Sequence, residues 1–528
     1  MLKVSGLTVS FGGKKVVSEV SFNLNQGEIL GFVGESGSGK SITALALMGL
    51  LPPNAIVEQG KAILETESGS IDVFKIDSRQ HQKLRGGAMA MIFQEPQTSL
   101  NPSMRCGKQI DEAVLLHTTL RGKAIRERSI ELLTEMQLPN PEKIYNSFPH
   151  QLSGGQKQRV MIAIALAGNP KLLIADEPTT ALDVTVQKEI LKLLRDIRDQ
   201  RDISIIFISH DLAVVSEVAD NIMVLKQGEI VEKGTVLDIF SNPKHPYTKN
   251  LIGFRQKLNN LIGLSHTYKT TPLISFKSVS IEYASNSWFR EGFRAVKDVS
   301  FDIFEGETLG LVGESGSGKS TIGRALLGLT SIKSGQIRYK GLSIDTLKGK
   351  DRLRFCREVQ IVFQDPYSSL NPRLTIGQAL MEPIIYHRLG TLKQARRRVI
   401  ELLDVMQLAA NSINRYPHEF SGGQRQRIVI ARVLALNPKV LVCDEILSAL
   451  DVSTQAQMID LLIRLKEEFN LTYLFISHDL SLVKSFCNRV VVLNKGMIEE
   501  QGLAQEVFGK PQSIYTQKLI DSIPAIST

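Results

Sequence analysis

GESGSGKS occupies residues 34–41 and recurs letter for letter at residues 313–320. The pattern is G-x-x-x-x-G-K-[ST], a loop whose backbone N–H groups face phosphate oxygens while its lysine reaches the β and γ phosphates. It assigns Gly34, Ser36, Gly37, Ser38, Gly39 and Lys40 to phosphate binding in the first copy, and Gly313, Ser315, Gly316, Ser317, Gly318 and Lys319 in the second. The hydroxyls of Ser41 and Ser320 stand where a magnesium ion bridging the phosphates needs an oxygen ligand. Each loop follows an apolar run ending in glycine, EILGFVG at 28–34 and TLGLVG at 308–313. Each also opens a helix, whose N-terminal dipole favours an anion. Four fixed positions arise by chance in about one chain in fifty of this length, so two copies name an architecture.

Outward from the loops, four more landmarks recur in the same order in both halves. First is an apolar strand ending in glutamine, MAMIFQEPQTSLNP with Gln94 and VQIVFQDPYSSLNP with Gln364. Next come PHQLSGGQKQR at 149–159 and PHEFSGGQRQR at 417–427. Strands closed by two acids follow, KLLIADEP with Asp176 and Glu177 and KVLVCDEI with Asp444 and Glu445, each leading into an ALD triplet. A last strand ends in histidine, IIFISHD with His210 and YLFISHD with His478.

Residue type gives each landmark a chemistry. An Asp at the end of a buried strand holds a magnesium ion, and the next Glu orients and deprotonates an attacking water. A glutamine there reaches the metal or the water, and a histidine donates to the γ phosphate. SGGQ places Gly-flanked N–H groups at a helix N-terminus, a second anion site. Taken singly, an acid pair is a solvated turn and SGG a helix cap; five features recurring in one order defeat those readings together.

At 528 residues the chain exceeds one hydrophobic core, and the repeat divides it in two: residues 1–250, a linker at 251–271, and residues 272–528. Composition is globular, 43% hydrophobic and 22% charged. The net charge of +9, spread over this length, permits an anionic partner without demanding one. Four isolated cysteines, Cys106, Cys356, Cys443 and Cys487, spell neither a disulfide framework nor a metal cluster, which points to a reducing compartment. The first residues read as a strand rather than a signal segment, and no apolar run reaches the roughly twenty residues of a membrane span. If the protein serves transport, another chain forms the pore.

With these motifs the chain resembles the ATP-binding-cassette ATPases over nearly its whole length, LSGGQ being the discriminating element. The resemblance implies an α/β fold of two tandem cassettes, each with a RecA-like core, a helical subdomain and an antiparallel β subdomain, that binds ATP with Mg2+ and hydrolyses it. Family members pair two cassettes head to tail, so it implies composite sites formed by intramolecular pairing. Site one would use Lys40, Ser41, Gln94, Asp176, Glu177 and His210, closed by Ser421, Gly422, Gly423 and Gln424. Site two would use Lys319, Ser320, Thr321, Gln364, Asp444, Glu445 and His478, closed by Ser153, Gly154, Gly155 and Gln156. Asp183 and Asp451 would cross-talk between the halves. The departures are Phe420 for the usual leucine and Ile446-Leu447 where the first half has Pro178-Thr179; neither removes a catalytic group. The family stacks adenine on an aromatic, here Phe11 in the first half and Tyr283 in the second, with Trp288 the substitute.

QxPxxSLNP in both halves, the loop spelling, and HPYTKNL at 245–251 resemble the ATPases of peptide-class importers, which carry dipeptides, oligopeptides, glutathione, microcin-type peptides, nickel or metallophores. That branch implies two integral-membrane permease subunits, an extracytoplasmic binding protein and a place on the cytoplasmic face of the bacterial inner membrane, with no nucleic-acid partner. The segment after HPYT carries no cysteine, so no iron–sulfur centre is expected. Leu251, Phe254, Leu258 and Leu261 share one helical face in a stretch that is basic and free of acids, read as a closing helix of the first cassette ahead of a membrane-surface helix. A soluble twin-cassette translation factor is the rival class; it would end the acid strand in EEP and join its halves by a long charged arm, whereas this chain has DEPTTALD and a short linker.

Overall fold

The computed structural model describes residues 1–66, 69–180, 182–260, 271–283, 292–448 and 450–524, with Gln97 and 255–260 as backbone only. Two compact units result, one formed mainly by Met1–Leu182 and Val186–Phe254, the other mainly by Arg255–Ile523.

The first unit holds a four-stranded antiparallel sheet in the order Lys14–Leu24, Leu2–Phe11, Ala55–Thr66, Gly69–Asp72. Its second sheet has six strands, in the order Glu229–Thr235, Asn221–Lys226, Ile29–Val33, Ser204–Ser209, Leu172–Asp176, Met89–Ile92. All neighbours in this sheet are parallel except the antiparallel edge pair of Glu229–Thr235 with Asn221–Lys226. The parallel strands are covered on both faces, which is why ILGFV and LLIAD read as unbroken apolar runs and every residue in them is buried. The helices Cys106–His117, Lys123–Glu135 and Pro141–Asn146 lie between the Met89–Ile92 strand and the Gly154–Leu166 helix in sequence and share its core cluster.

The second unit repeats the plan. Its antiparallel sheet runs Phe293–Phe304, Pro272–Tyr283, Ser334–Tyr339, Leu342–Ser343, and its six-stranded sheet runs Val359–Val362, Val440–Asp444, Thr472–Ile476, Thr308–Val312, Arg489–Asn494, Met497–Leu503. The expected cassette plan of parallel core, helical subdomain and antiparallel β subdomain is present in each.

Strand order explains how motifs far apart in sequence meet. Four consecutive parallel strands end, at the same edge of the first sheet, in the phosphate loop, His210, the Asp176–Glu177 pair and Gln94. Registry is tight: Val33 lies opposite Ser209, Asp176 opposite Ile208 and Ile92 opposite Ala175. The carboxyl edge of a parallel sheet is where such folds bind ligands.

The helix Pro246–Asn260 runs through the boundary expected at residue 250, and Leu251 and Ile252 are buried in the first unit's core. Phe254 is half-buried; the side chain of Leu258, and Leu261 altogether, lie outside the described residues, as does Trp288. No described helix is long and apolar enough to cross a membrane.

Candidate functional site

In each unit the phosphate loop turns from a buried strand into a helix, Lys40–Leu47 or Lys319–Leu326. Glycine is required at both ends of the turn. A Cβ on Gly34 would lie 2.2 Å from the Leu225 carbonyl oxygen, and Gly39 sits at φ +99°, a left-handed conformation costly for other residues. Gly313 and Gly318 repeat this, at 2.2 Å from the Leu493 carbonyl and φ +103°.

The loop lysines are nearly fully buried, at 5% and 4% exposure. Lys40 Nζ donates to the carbonyls of Gly34 at 2.6 Å and Glu35 at 2.9 Å, and to the Ser38 hydroxyl at 3.3 Å. Lys319 donates to Gly313 at 2.7 Å and Glu314 at 2.9 Å. Burial pulls Lys319 below the ordinary lysine range, against the raising influence of Glu445. The Ser317 hydroxyl in the same loop is buried without a hydrogen-bond partner among the described residues. A depressed ammonium and an orphaned hydroxyl are what a phosphate group would satisfy, so the loops fit a nucleotide.

Beside each lysine a hydroxyl and a carboxylate meet. Ser41 Oγ donates to Asp176 Oδ1 at 3.0 Å and Ser320 Oγ to Asp444 Oδ1 at 2.8 Å. Burial raises both acids, Asp176 to about 6. No cluster of three or more His, Cys, Asp or Glu that could hold a metal occurs among the described residues. A hard cation here has one serine and one carboxylate oxygen from the protein, the sparse oxygen set that Mg2+ accepts when phosphates and water supply the rest.

Glu177 and Glu445 follow these acids in a left-handed backbone, φ 46° and 51°, uncommon for residues with a side chain. Each is pinned there by its N–H, which donates at 3.0 Å to the neighbouring strand, to the carbonyl of Ile208 or Ile476. The side chains converge with the other predicted residues. Gln94 Nε2 donates to Glu177 Oε2 at 3.0 Å and His210 Nδ1 lies 3.3 Å away; Gln364 and His478 hold Glu445 Oε2 at 3.0 and 3.4 Å. Burial works to raise Glu177, but the bonds from His210 and Thr180 and the charge of Lys40 hold it down to about 2. Glu445 is lowered against burial by His478 and Lys319. Burial opposes protonation of His210 and His478, and the facing glutamates overcome it and raise both.

The SGGQ residues do a different task within their own unit. Ser153 and Gln156 cap the helix Gly154–Leu166 reciprocally, and Ser421 and Gln424 cap Gly422–Leu434 in the same way. Gly155 and Gly423 lie so close to Val186 and Thr454 that a Cβ would come within 2.5 and 2.8 Å of their side chains. Asp451 caps the helix Val452–Phe469. Phe11 is half-buried against the core at its strand end, whereas Tyr283 is 40% exposed with its hydroxyl 3.3 Å from Thr321 Oγ1.

Sequence reasoning passed over two groups. Thr180 Oγ1 donates to Glu177 Oε2 at 2.8 Å, whereas Ser448, its counterpart, donates to the backbone carbonyl of Glu445 at 2.9 Å. The signal was the neighbouring DEPTT/DEILS difference, read one position too early. Tyr247 and Tyr515 touch the phosphate loops; HPYT was visible, but only as a mark of kinship.

Comparison with known proteins agrees with this geometry. The ABC transporter family matches residues 17–180 and 296–448, and the oligopeptide/dipeptide transporter C-terminal region matches 231–272 and 500–528. The glutathione import ATP-binding protein GsiA of Pectobacterium atrosepticum is 44% identical over 537 residues, covering 96% of this chain and 86% of that protein. Its counterpart in Escherichia coli K12 is 45% identical over 557 residues, covering 99% and 89%. The chain thus belongs to the ABC transporter ATPases, as the ATP-hydrolysing subunit of a peptide-class importer with both cassettes in one polypeptide.

Proposed function

We propose that this subunit powers uptake of glutathione or a similarly small peptide, hydrolysing ATP at two sites with Mg2+. The observation carrying the ATPase reading is the convergence of Lys, Ser, Asp, Glu, Gln and His at one sheet edge in each unit. The relatives at 44% and 45% identity, both glutathione import proteins, support the substrate.

Lys40 and Lys319 hold the β and γ phosphates. Ser41 with Asp176, and Ser320 with Asp444, would hold Mg2+, with Gln94 and Gln364 alongside; when bound, the ion neutralises phosphate charge. Glu177 and Glu445, ionised throughout the physiological range, orient the attacking water and accept from it. His210 and His478 face the glutamates, which raise them toward the protonated form, and donate to the γ phosphate. Phe11 and Tyr283 stack the adenines. From the family resemblance, each site is completed by the SGGQ of the other half: Ser421, Gly422, Gly423 and Gln424 for the first, Ser153, Gly154, Gly155 and Gln156 for the second. ATP, unlike ADP, then favours the closed pair through its γ phosphate. Closure acts on two permease subunits at the cytoplasmic face of the bacterial inner membrane, fed by an extracytoplasmic binding protein. Segments 99–110 and 369–379, just after the glutamines, grip the permeases.

The test is uptake of labelled glutathione and of a labelled dipeptide in cells lacking this chain, complemented by wild type or by Glu177→Gln/Glu445→Gln. Loss of glutathione uptake, restored only by wild type, supports the proposal. Loss of dipeptide uptake alone moves the substrate to other peptides, and unchanged uptake of both contradicts the assignment.

A further inference from the structure

The segment that follows the last sheet strand reaches back to the phosphate loop in both units. Glu35, the second residue of the first loop, donates its backbone N–H to the Tyr247 hydroxyl at 3.0 Å. Glu314, at the same place in the second loop, donates to the Tyr515 hydroxyl at 3.3 Å. Tyr247 and Tyr515 are separated by the same interval as His210 and His478, although HP at 245–246 is replaced by Ser513-Ile514 in the second copy. The surrounding letters changed and the contact stayed.

Each tyrosine stands on an anchored platform. Glu232, on the edge strand Glu229–Thr235, accepts from the N–H groups of Lys244 at 2.7 Å and His245 at 3.0 Å; Glu500, on Met497–Leu503, accepts from Gln512 at 2.9 Å and Ser513 at 3.1 Å. The next turn is fixed by a bond from the tyrosine's own N–H, to His245 Nδ1 at 3.1 Å or Ser513 Oγ at 3.2 Å. Tyr247 is 6% exposed, with the Lys226 ammonium 4.9 Å from its ring centre. The loop it touches is rich in glycine, with Gly37 at φ +80° and Gly39 at φ +99° in the first copy.

We propose that Tyr247 and Tyr515 are positioning residues for the phosphate loops, through which the C-terminal region of each cassette sets the affinity of that cassette for ATP. The hydroxyl fixes the N-terminal end of the loop, so less backbone freedom is lost when phosphate binds. The inference rests on the reading of Lys40 and Lys319 as phosphate ligands.

The experiment is ATP hydrolysis and binding of a fluorescent ATP analogue by the full chain, as wild type, Tyr247→Phe, Tyr515→Phe, the double variant, and Lys40→Ala/Lys319→Ala. Phenylalanine keeps the ring and removes the hydroxyl that accepts from the loop. One lost hydrogen bond per site should raise KM for ATP and the analogue's Kd by about three- to tenfold in the double variant, with kcat within about twofold. The unfolding midpoint without nucleotide should fall slightly with the lost hydrogen bond, and its rise on adding ATP should shrink as well. Unchanged KM and Kd in the double tyrosine variant, with binding lost in the lysine variant, overturns this inference alone. Retained binding in the lysine variant overturns the site reading and this inference with it.

Discussion

The two cassettes share a fold and a motif order yet wire the same glutamate differently. Among the described residues Glu177 collects donors from Gln94, His210 and Thr180, whereas Glu445 collects them from Gln364 and His478, its neighbouring serine having turned to the backbone. A second contrast lies under the sheets. In the first unit Arg198 Nη1 meets the Asp220 carboxylate at 3.3 Å; at the matching place in the second, Lys466 Nζ has Thr308 Oγ1 at 2.9 Å and the Asn488 amide oxygen at 3.3 Å. Burial brings Lys466 down to about 8. The two copies keep the same Lys, Ser, Asp, Glu, Gln and His at the sheet edge and differ in the groups that support them.

The largest effect should come from the glutamates. Glu177→Gln or Glu445→Gln leaves ATP binding intact and slows hydrolysis at its own site by on the order of a hundredfold or more, read by steady-state phosphate release. Equal loss in both shows that the extra Thr180 donor tunes the first site without defining it; loss in one alone makes the other cassette regulatory.

Next is a pH effect centred on Lys466 in the second unit. Lys466 is 6% exposed, with its pKa at about 8 when folded against about 10.4 in a free chain. Between those values the unfolded lysine binds more protons than the folded one, so the contribution of Lys466 to the second unit's stability grows as pH rises, while the Cys443 and Cys487 thiols of the same unit, raised by burial, act in the opposite sense. Denaturant unfolding of wild type and Lys466→Met at pH 7.5 and 10 isolates the lysine: the stability difference between the two should move in favour of wild type at the higher pH, and an unchanged difference would contradict the assignment.

The smallest effect sharpens the wiring contrast itself. Thr180→Val removes a donor from Glu177 and should lower kcat by about three- to tenfold, whereas Ser448→Ala, which leaves the Glu445 carboxylate untouched, should be silent within about twofold. Equal effects would erase the distinction.

Much of this was legible in the sequence because the parallel strands are buried on both faces and so read as unbroken apolar runs ending in their functional residues. Lys40, Asp176, Glu177, His210 and Gln94, and their counterparts, could be named from that pattern, and strand order explains their meeting. Three things were not legible. The rotamer of Thr180 against Ser448 depends on packing around the turn. The burial of Ile252, which lies outside the expected stripe of Leu251, Phe254, Leu258 and Leu261, depends on how the Pro246–Asn260 helix meets the first unit's core. The reach of Tyr247 to Glu35 joins positions remote in the chain, which no periodicity reports.

The most direct test of two complete ATP sites in one chain is the nucleotide retained by Glu177→Gln/Glu445→Gln after incubation with ATP and Mg2+ and rapid removal of free nucleotide. Two molecules of unhydrolysed ATP per chain is the predicted result; one nucleotide per chain, or ADP in both places, would contradict it.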